Sequence, residues 1–291
     1  MKLVQGHERP GTRAAGRISE ILHPTAFTEG CEHAFAHALA LALGFGARLR
    51  ILHVDTPGGE STARPFPRAV DTLIRWGILP EGATDRELAP LGIRVETVLR
   101  VGDSPTREIL TEILERPAGF VVLSTRGLEG VERLREPSVA EPVARWGHVP
   151  TLLFPPGVQG FVNLEDGRTD LTRILVPVDH EPDPAVAVGA AVLLADALDQ
   201  DILQLSTLHV GDEADVPPVR VPSHEGWTVR RWHEKGPVVE GILETALAWD
   251  ADLVVMASRG HPNLLERLRG GTVERVVRRA LCPVLEVPVG A

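Results

Sequence analysis

Short apolar runs alternate with longer segments of helical periodicity along this chain, and the whole alternation occurs twice. The runs that predict strands are residues 18–24, 48–54, 93–101, 119–123, 150–154, 173–178, 202–210, 227–233, 253–257 and 283–287. The segments that predict helices are residues 30–45, 69–76, 105–114, 138–146, 184–198, 238–249 and 272–280. Short, continuously apolar strands between helices are typical of parallel sheets covered on both faces, so the pattern predicts an α/β fold.

Particular residues also return in the second part of the chain. Residues 21–26 (ILHPTA) resemble 174–179 (ILVPVD), LHV occurs at both 52–54 and 208–210, and 120–127 (FVVLSTRG) resembles 253–260 (LVVMASRG). We therefore predict a leader at 1–18, a first repeat at 19–156, a linker at 157–171 and a second repeat at 172–291. A length of 291 residues suits two domains of ordinary size.

Composition excludes several classes of function. Only Lys2 and Lys235 are lysines, and neither follows a glycine-rich loop, which excludes the phosphate loop of many kinases and GTPases. A net charge of −10 gives no reason to expect a nucleic acid or a membrane as partner. Cys31 and Cys282 lie far apart, which indicates neither a disulfide framework nor a zinc ribbon. Without a spanning apolar run or a signal core, we expect a cytoplasmic protein.

The most specific candidate site follows a strand of the second repeat. The residues of this candidate loop are Ala257, Arg259, Gly260, Gly270, Gly271 and Thr272. Glycines let a backbone approach a ligand closely, and the start of a helix presents free N–H groups that suit phosphate oxygens. Arg259 adds charge-assisted hydrogen bonds. Open parallel sheets bind ligands at the carboxyl ends of their strands where strand order reverses, which brings Asp179 and Val210 to the same place.

Four segments carry a resemblance to a known family. The strings at 174–179 (ILVPVD), 208–210 (LHV), 254–260 (VVMASRG) and 270–288 (GGTVERVVRRALCPVLEVP) resemble the universal stress protein family. The resemblance implies two tandem Rossmann-like domains of the adenine nucleotide alpha hydrolase type, each a five-stranded parallel sheet flanked by helices. It also implies a stress-response or regulatory role.

The nucleotide motif of the ATP-binding members, Gly-x2-Gly-x9-Gly-[Ser/Thr], is altered here. The matching positions are Ala257, Gly260, Gly270 and Gly271. Ala257 replaces the first glycine and Gly271 replaces the hydroxyl residue, for which Thr272 stands one position later. The spacing is kept, and an alanine with negative φ still presents its backbone N–H, so the change is compatible with binding.

By the same resemblance, Pro177 and Asp179 lie near a ribose and the main chain of Val210 holds an adenine. The first repeat has Ala26 in place of Asp179 and Pro137 in place of a glycine, which removes an N–H donor. The motif positions of the first repeat are Ser124, Gly127, Pro137 and Ser138. We therefore expect the first repeat to bind no nucleotide and to be either a scaffold or the site of a different ligand.

The resemblance, together with the retained motif spacing, implies a regulatory protein that binds ATP or AMP in its second repeat without efficient catalysis, with Mg²⁺ held only through phosphate. Two alternatives stay open: a structural interaction module with both sites inactive, or a slow ATP-hydrolysing switch that uses Asp179 and a phosphate-bound metal ion. The simpler alternative for Asp179 is that its carboxylate only caps the turn before Pro182. His180 and His261 lie near the predicted cleft, but neither has a carboxylate or nucleophile at a fixed spacing.

The remaining expectations concern partners and histidines. The resemblance implies that the last strands of the repeats pair antiparallel, as they do across a two-fold axis in family members, and tandem repeats can form this pair within one chain as an intramolecular pseudo-dimer. An unpaired strand edge would otherwise be a liability. A homodimer and an unknown protein partner stay open. His33 and His37 share a helix face, where a half-exposed polar stripe is favoured over a metal site. His53 and His209 recur at strand ends, which indicates a structural role.

Overall fold

The structure, a computed structural model, describes residues 18–27, 31–57, 65–125, 138–259 and 271–290. The strands in these ranges are β1 (Glu20–Pro24), β2 (Arg48–Asp55), β3 (Arg94–Val101), β4 (Phe120–Ser124), β5 (Thr151–Phe154), β6 (Arg173–Pro177), β7 (Leu203–Val210), β8 (Trp227–Glu234), β9 (Leu253–Ser258) and β10 (Val284–Pro288). The α-helices are α1 (Cys31–Phe45), α2 (Ala69–Arg75), α3 (Pro105–Glu115), α4 (Ala140–Trp146), α5 (Pro184–Ala197), α6 (Val238–Ala248) and α7 (Thr272–Val277).

The predicted elements are present, with small differences at their ends. The largest difference concerns α7, which ends at Val277 although the pattern predicted a helix to residue 280. The following residues turn toward Pro283, which disfavours helical backbone just before it. Gly44 was expected to stop α1, but it lies inside this helix, and Gly46 with φ of 61° ends it.

All ten strands form one sheet, in the order β3-β2-β1-β4-β5-β10-β9-β6-β7-β8. Each half is parallel and repeats the same local order, while β5 and β10 pair antiparallel, with Leu285 opposite Leu152. The α/β class with a five-stranded parallel sheet in each half is confirmed. The antiparallel pairing of the last strands within the chain is confirmed as well.

Both layers of the core contain residues of both halves. On one face, α1 and α5 pack against the sheet and against each other, and the two helices come close together at Gly44. A Cβ atom added to Gly44 would lie 2.0 Å from the carbonyl oxygen of Ala197, so only glycine fits between the two helices. The opposite face carries α3, α4, α6 and α7. Within the described ranges, no helix has the length and apolar character needed to cross a membrane.

The predicted linker is a packed clasp, which we define as residues 155–171. Phe161, Val162 and Leu171 of the clasp are buried. The Nδ1–H group of His37 donates to the carbonyl of His33 at 2.7 Å, and its Nε2 atom accepts the N–H groups of Phe161 and Val162 at 2.9 and 3.0 Å. Burial is the main cause that lowers the pKa of His37 to about 3, so the ring is neutral. The expected half-exposed stripe is wrong for His37, which is fully buried and has both nitrogens engaged.

Two ion pairs cross the seam between the halves. Arg278, just after α7, donates to both carboxylate oxygens of Glu141 in α4, at 2.7 and 2.9 Å. Arg145 of α4 pairs in turn with Glu274 of α7. Glu141 and Arg145 in the first repeat correspond in sequence to Glu274 and Arg278 in the second. The glutamate of each repeat therefore pairs with the corresponding arginine of the other. Beside them, burial raises the pKa of the Glu286 carboxyl on β10.

The first half also contains a buried charge network that the sequence patterns did not reveal. Arg50 on β2 has no exposed surface, pairs with Glu20 at 2.7 Å and with Glu112 of α3, and donates to the carbonyl of Arg116 at 2.8 Å. The second half has Ser206 and Thr245 at the places that match Arg50 and Glu112, so the two cores differ in chemistry although their folds agree.

Candidate functional site

The carboxyl ends of β6, β7 and β9 meet at one edge of the sheet in the second half. β6 lies between β7 and β9, parallel to both, and the chain changes direction across the sheet at this point. The structure therefore brings Pro177, Asp179, Val210, Ala257 and Arg259 to the same edge, as predicted. Gly260 and Gly270 lie outside the described residues, so their predicted roles stay predictions.

Asp179 presents an exposed carboxylate at this edge. Its Oδ1 atom accepts the N–H group of His180 at 2.8 Å, which stabilises the turn after β6. No described residue donates a hydrogen bond to its Oδ2 atom. The turn-stabilising role and a ligand role are therefore compatible, because a carboxylate accepts several hydrogen bonds.

The segment after β6, residues 178–183, is named here the β6 loop, and it is tied to both neighbouring strands. The Nε2 atom of His180 lies 3.0 Å from the carbonyl oxygen and 3.2 Å from Oδ1 of Asp215, which follows β7. On the other side, Glu181 Oε2 lies 3.0 Å from Nη2 of Arg259, which follows β9. The sequence offered no carboxylate partner for His180 at a fixed spacing, and the fold supplies Asp215 from 35 residues further along the chain.

The phosphate side of the predicted site is only partly available. The N–H group of Gly271 donates to Oε2 of Glu274 at 2.8 Å, so this donor already has a partner within its own helix start. Thr272 opens α7 with an exposed side chain, and α7 is short, which limits its dipole. Ala257 lies inside β9 opposite Val287, in extended backbone that alanine adopts without strain.

Histidines brace the first two strand ends of both halves in the same way. Nδ1 of His53 lies 2.8 Å from the carbonyl oxygen of Thr25, and Nδ1 of His209 lies 3.3 Å from that of Val178. Each contact joins the second strand of its half to the turn after the first strand. The structural role expected for His53 and His209 is confirmed.

Comparison with known proteins identifies this architecture. The profile of the Universal stress protein family matches residues 18–155 and 224–288. This chain belongs to the universal stress protein family. The second matched segment begins after Asp179 and Val210, so the family match itself does not include these two residues. No curated protein matches the chain.

Solved universal stress proteins share the fold across almost the whole chain. A universal stress protein from Archaeoglobus fulgidus DSM 4304 is 21% identical, with a TM-score of 0.64, covering 94% of this chain and 97% of its own. One described as a putative universal stress protein from Pseudomonas aeruginosa UCBPP-PA14 is 17% identical, with a TM-score of 0.58 and 93% coverage of both chains. A functionally unknown protein from Pseudomonas aeruginosa PAO1 is 15% identical, with a TM-score of 0.59, covering 93% of this chain and 92% of its own. These likenesses concern the fold.

The corresponding edge of the first universal stress domain carries different side chains. Ala26 follows β1 where the second half has Asp179, and an aromatic cluster of Phe27, His53 and Phe66 lies at this edge. The ring centroids of Phe27 lie 4.3 Å from His53 and 5.3 Å from Phe66.

The predicted motif positions of the first half are only partly described. Ser124 Oγ lies 3.3 Å from Cys31 Sγ, and Ser138 accepts the N–H group of Glu141 at 3.4 Å. Gly127 and Pro137 lie outside the described residues. The hydroxyl groups of both serines are thus in contact with the protein itself.

Proposed function

We propose that this protein is a regulatory binder of an adenine nucleotide, ATP or AMP, and that its site is the carboxyl edge of β6, β7 and β9. The observation that carries the proposal is the exposed Asp179 carboxylate at the point where strand order reverses. Its Oδ2 atom suits a ribose hydroxyl, and the main chain at Val210 suits the adenine. Arg259 supplies the cation for phosphate.

The difference between the two halves supports placing the ligand in the second. A ribose at the first edge would find Ala26 instead of a carboxylate, and the nearby rings of Phe27, His53 and Phe66 contact one another. These aromatic rings contact one another and provide few hydrogen-bond partners for the hydroxyl groups of a ribose, and a buried polar group without such partners is unfavourable. We therefore assign the first half a structural role.

We propose binding without efficient catalysis. Efficient hydrolysis of the phosphoanhydride bond of ATP needs a base or a positioned metal ion near the attacking water. At the described edge of the second half, the imidazole of His180 already contacts Asp215 through Nε2, and it is exposed to solvent. Mg²⁺ would then reach the site through the phosphate oxygens of the ligand. A cytoplasmic location and a further homodimer stay predictions from the sequence.

The test measures binding of AMP and of ATP, with and without Mg²⁺, to the intact chain by calorimetry. Asp179→Ala removes one charge-assisted hydrogen bond and should weaken AMP binding by roughly 10- to 100-fold. The matched control is Asp212→Ala, which removes an exposed carboxylate from the same edge and should retain binding within about three-fold.

Three results would contradict the proposal in different ways. No heat of binding and no thermal shift with millimolar AMP or ATP would leave a structural interaction module. Equal losses in Asp179→Ala and Asp212→Ala would show that Asp179 makes no specific contact. ATP turnover that Asp179→Ala abolishes would identify a slow enzyme instead.

A further inference from the structure

The rim of the candidate site is strongly acidic. We define the rim as residues 178–183, 210–216, 257–259 and 271–272, which are the described ends of the strands and the start of α7. Its carboxylates are Asp179, Glu181, Asp183, Asp212, Glu213 and Asp215. Within this rim, Arg259 is the single arginine or lysine side chain. Among the described residues of the rim, the carboxylates repel a ligand that carries several negative charges, and Arg259 attracts it.

Arg259 already has an anionic partner. Its Nη2 atom lies 3.0 Å from Oε2 of Glu181, and the two side chains are 58% and 76% exposed. A carboxylate and a phosphate compete for the same guanidinium N–H groups, because each presents anionic oxygens that accept hydrogen bonds from the guanidinium fork. Glu181 therefore occupies a donor of Arg259 that a ligand phosphate would otherwise use.

The β6 loop places Glu181 beside the residue assigned to the ribose. Asp179 and Glu181 are two positions apart on this loop, and the contact of His180 with Asp215 fixes the loop on the side of β7. Because Asp179 follows β6 and Arg259 follows the neighbouring strand β9, a ligand with its ribose at Asp179 that extends its phosphates across this edge toward β9 meets the Glu181–Arg259 pair. Each added phosphate must displace Glu181 from Arg259 or remain close to its negative charge.

We propose that Glu181 is a specificity-determining residue that makes this site prefer adenosine and AMP to ATP free of magnesium. The inference rests on the proposed function, since it concerns the same site. Glu181 acts as an internal competitor for Arg259, and Mg²⁺ reduces the discrimination because it neutralises phosphate charge.

The test compares adenosine, AMP and ATP without Mg²⁺ on the intact chain by calorimetry. Glu181→Gln keeps the size of the side chain and removes its charge. We expect ATP affinity to rise roughly two- to five-fold, as for loss of an exposed ion pair, AMP affinity to rise less and adenosine affinity to stay the same. The gain should shrink in 0.5 M salt, where the screening length is only a few ångströms.

Two further variants separate the contact from the general charge of the rim. Glu213→Gln removes the same charge from the rim at a residue with no ion pair to Arg259, and it should raise ATP affinity less than Glu181→Gln does. In an Arg259→Gln background, the gain from Glu181→Gln should disappear, because the two side chains act as one pair.

The outcomes are distinguishable. If adenosine, AMP and ATP all fail to bind, the proposed function fails and the inference falls with it. If they bind and Glu181→Gln changes ATP and adenosine affinity alike, or no more than Glu213→Gln does, the inference is wrong while the proposed function stands. Unchanged thermal melting of the variants, expected from the exposure of both side chains, shows that folding is not the cause.

Discussion

The neutral, buried imidazole of His37 should make the stability of this protein fall steeply in mild acid. Burial lowers the pKa of His37 from 6.5 to about 3, mainly through desolvation. Below pH 6.5, the unfolded chain binds a proton at this residue and the folded chain does not. The free energy of unfolding therefore falls as the pH drops from 6.5 toward 3. Above pH 6.5, the residue is neutral in both states and this loss of stability is absent.

The expected magnitude follows from the shift. One pKa unit corresponds to about 1.4 kcal/mol, so His37 contributes a pH-dependent loss of about 5 kcal/mol over the whole range and about 2 kcal/mol by pH 5. His23 on β1 adds a similar loss down to its own pKa of about 4, because it is also fully buried with Nδ1 bound to the carbonyl of Val122. Together they should remove about 4 kcal/mol between pH 7.5 and pH 5.

The assay is urea unfolding of the intact chain at pH 7.5 and at pH 5.0. His37→Gln keeps an acceptor for the clasp amides and removes the titrating group, so it should reduce the loss between the two pH values by about 2 kcal/mol. Phe161→Leu is the control, because it weakens the contact of Phe161 with the His37 ring, 4.4 Å away, without removing a titrating group. Equal pH dependence in wild type and His37→Gln would refute the reasoning.

Three further predictions concern packing and charge. Gly44→Ala should lower the free energy of unfolding by about 1–3 kcal/mol through overpacking against α5, whereas Gly189→Ala, where an added Cβ meets nothing within 4 Å, should be neutral or stabilising by about 1 kcal/mol. Arg50→Ala removes the buried guanidinium that lies between Glu20 and Glu112 and should cost about 3–5 kcal/mol in thermal or urea unfolding. Arg278→Ala should cost about 1–3 kcal/mol, and a double-mutant cycle with Glu141→Ala should show coupling; additive losses would contradict the seam contact.

The regular part of the fold was predictable because it follows from local patterns. Apolar runs of strand length and helical segments gave the element order, and the repeat of ILHPTA as ILVPVD implied that both halves share one topology. The antiparallel seam was predictable for another reason. The resemblance to the universal stress protein family implied it, because family members pair their last strands antiparallel, and β5 and β10 are the last strands of the two parallel halves.

The residues that the patterns missed all depend on contacts between distant segments. The position of His37 on an apolar helix does not reveal that two amides of the clasp approach its Nε2 atom. The pattern around Arg50 in β2 does not reveal that α3 places the Glu112 carboxylate beside its guanidinium. His180 finds Asp215 only because β6 and β7 are neighbours in the sheet. In each case, local sequence propensity does not identify the partner residue, and the contact with that partner determines how buried the side chain is and which charges surround it.

The structure favours one cooperative unit over two independent domains, although the sequence is a duplication. The sheet is continuous through β5 and β10, and both core layers contain residues of both halves. Removing the first half would leave the edge of β10 unpaired, because β5 covers it. It would also expose the surface of α5 that now packs against Gly44 of α1. A first half without a ligand of its own would therefore still be required, because it completes the packed layers on which the carboxyl edge of the second half is built.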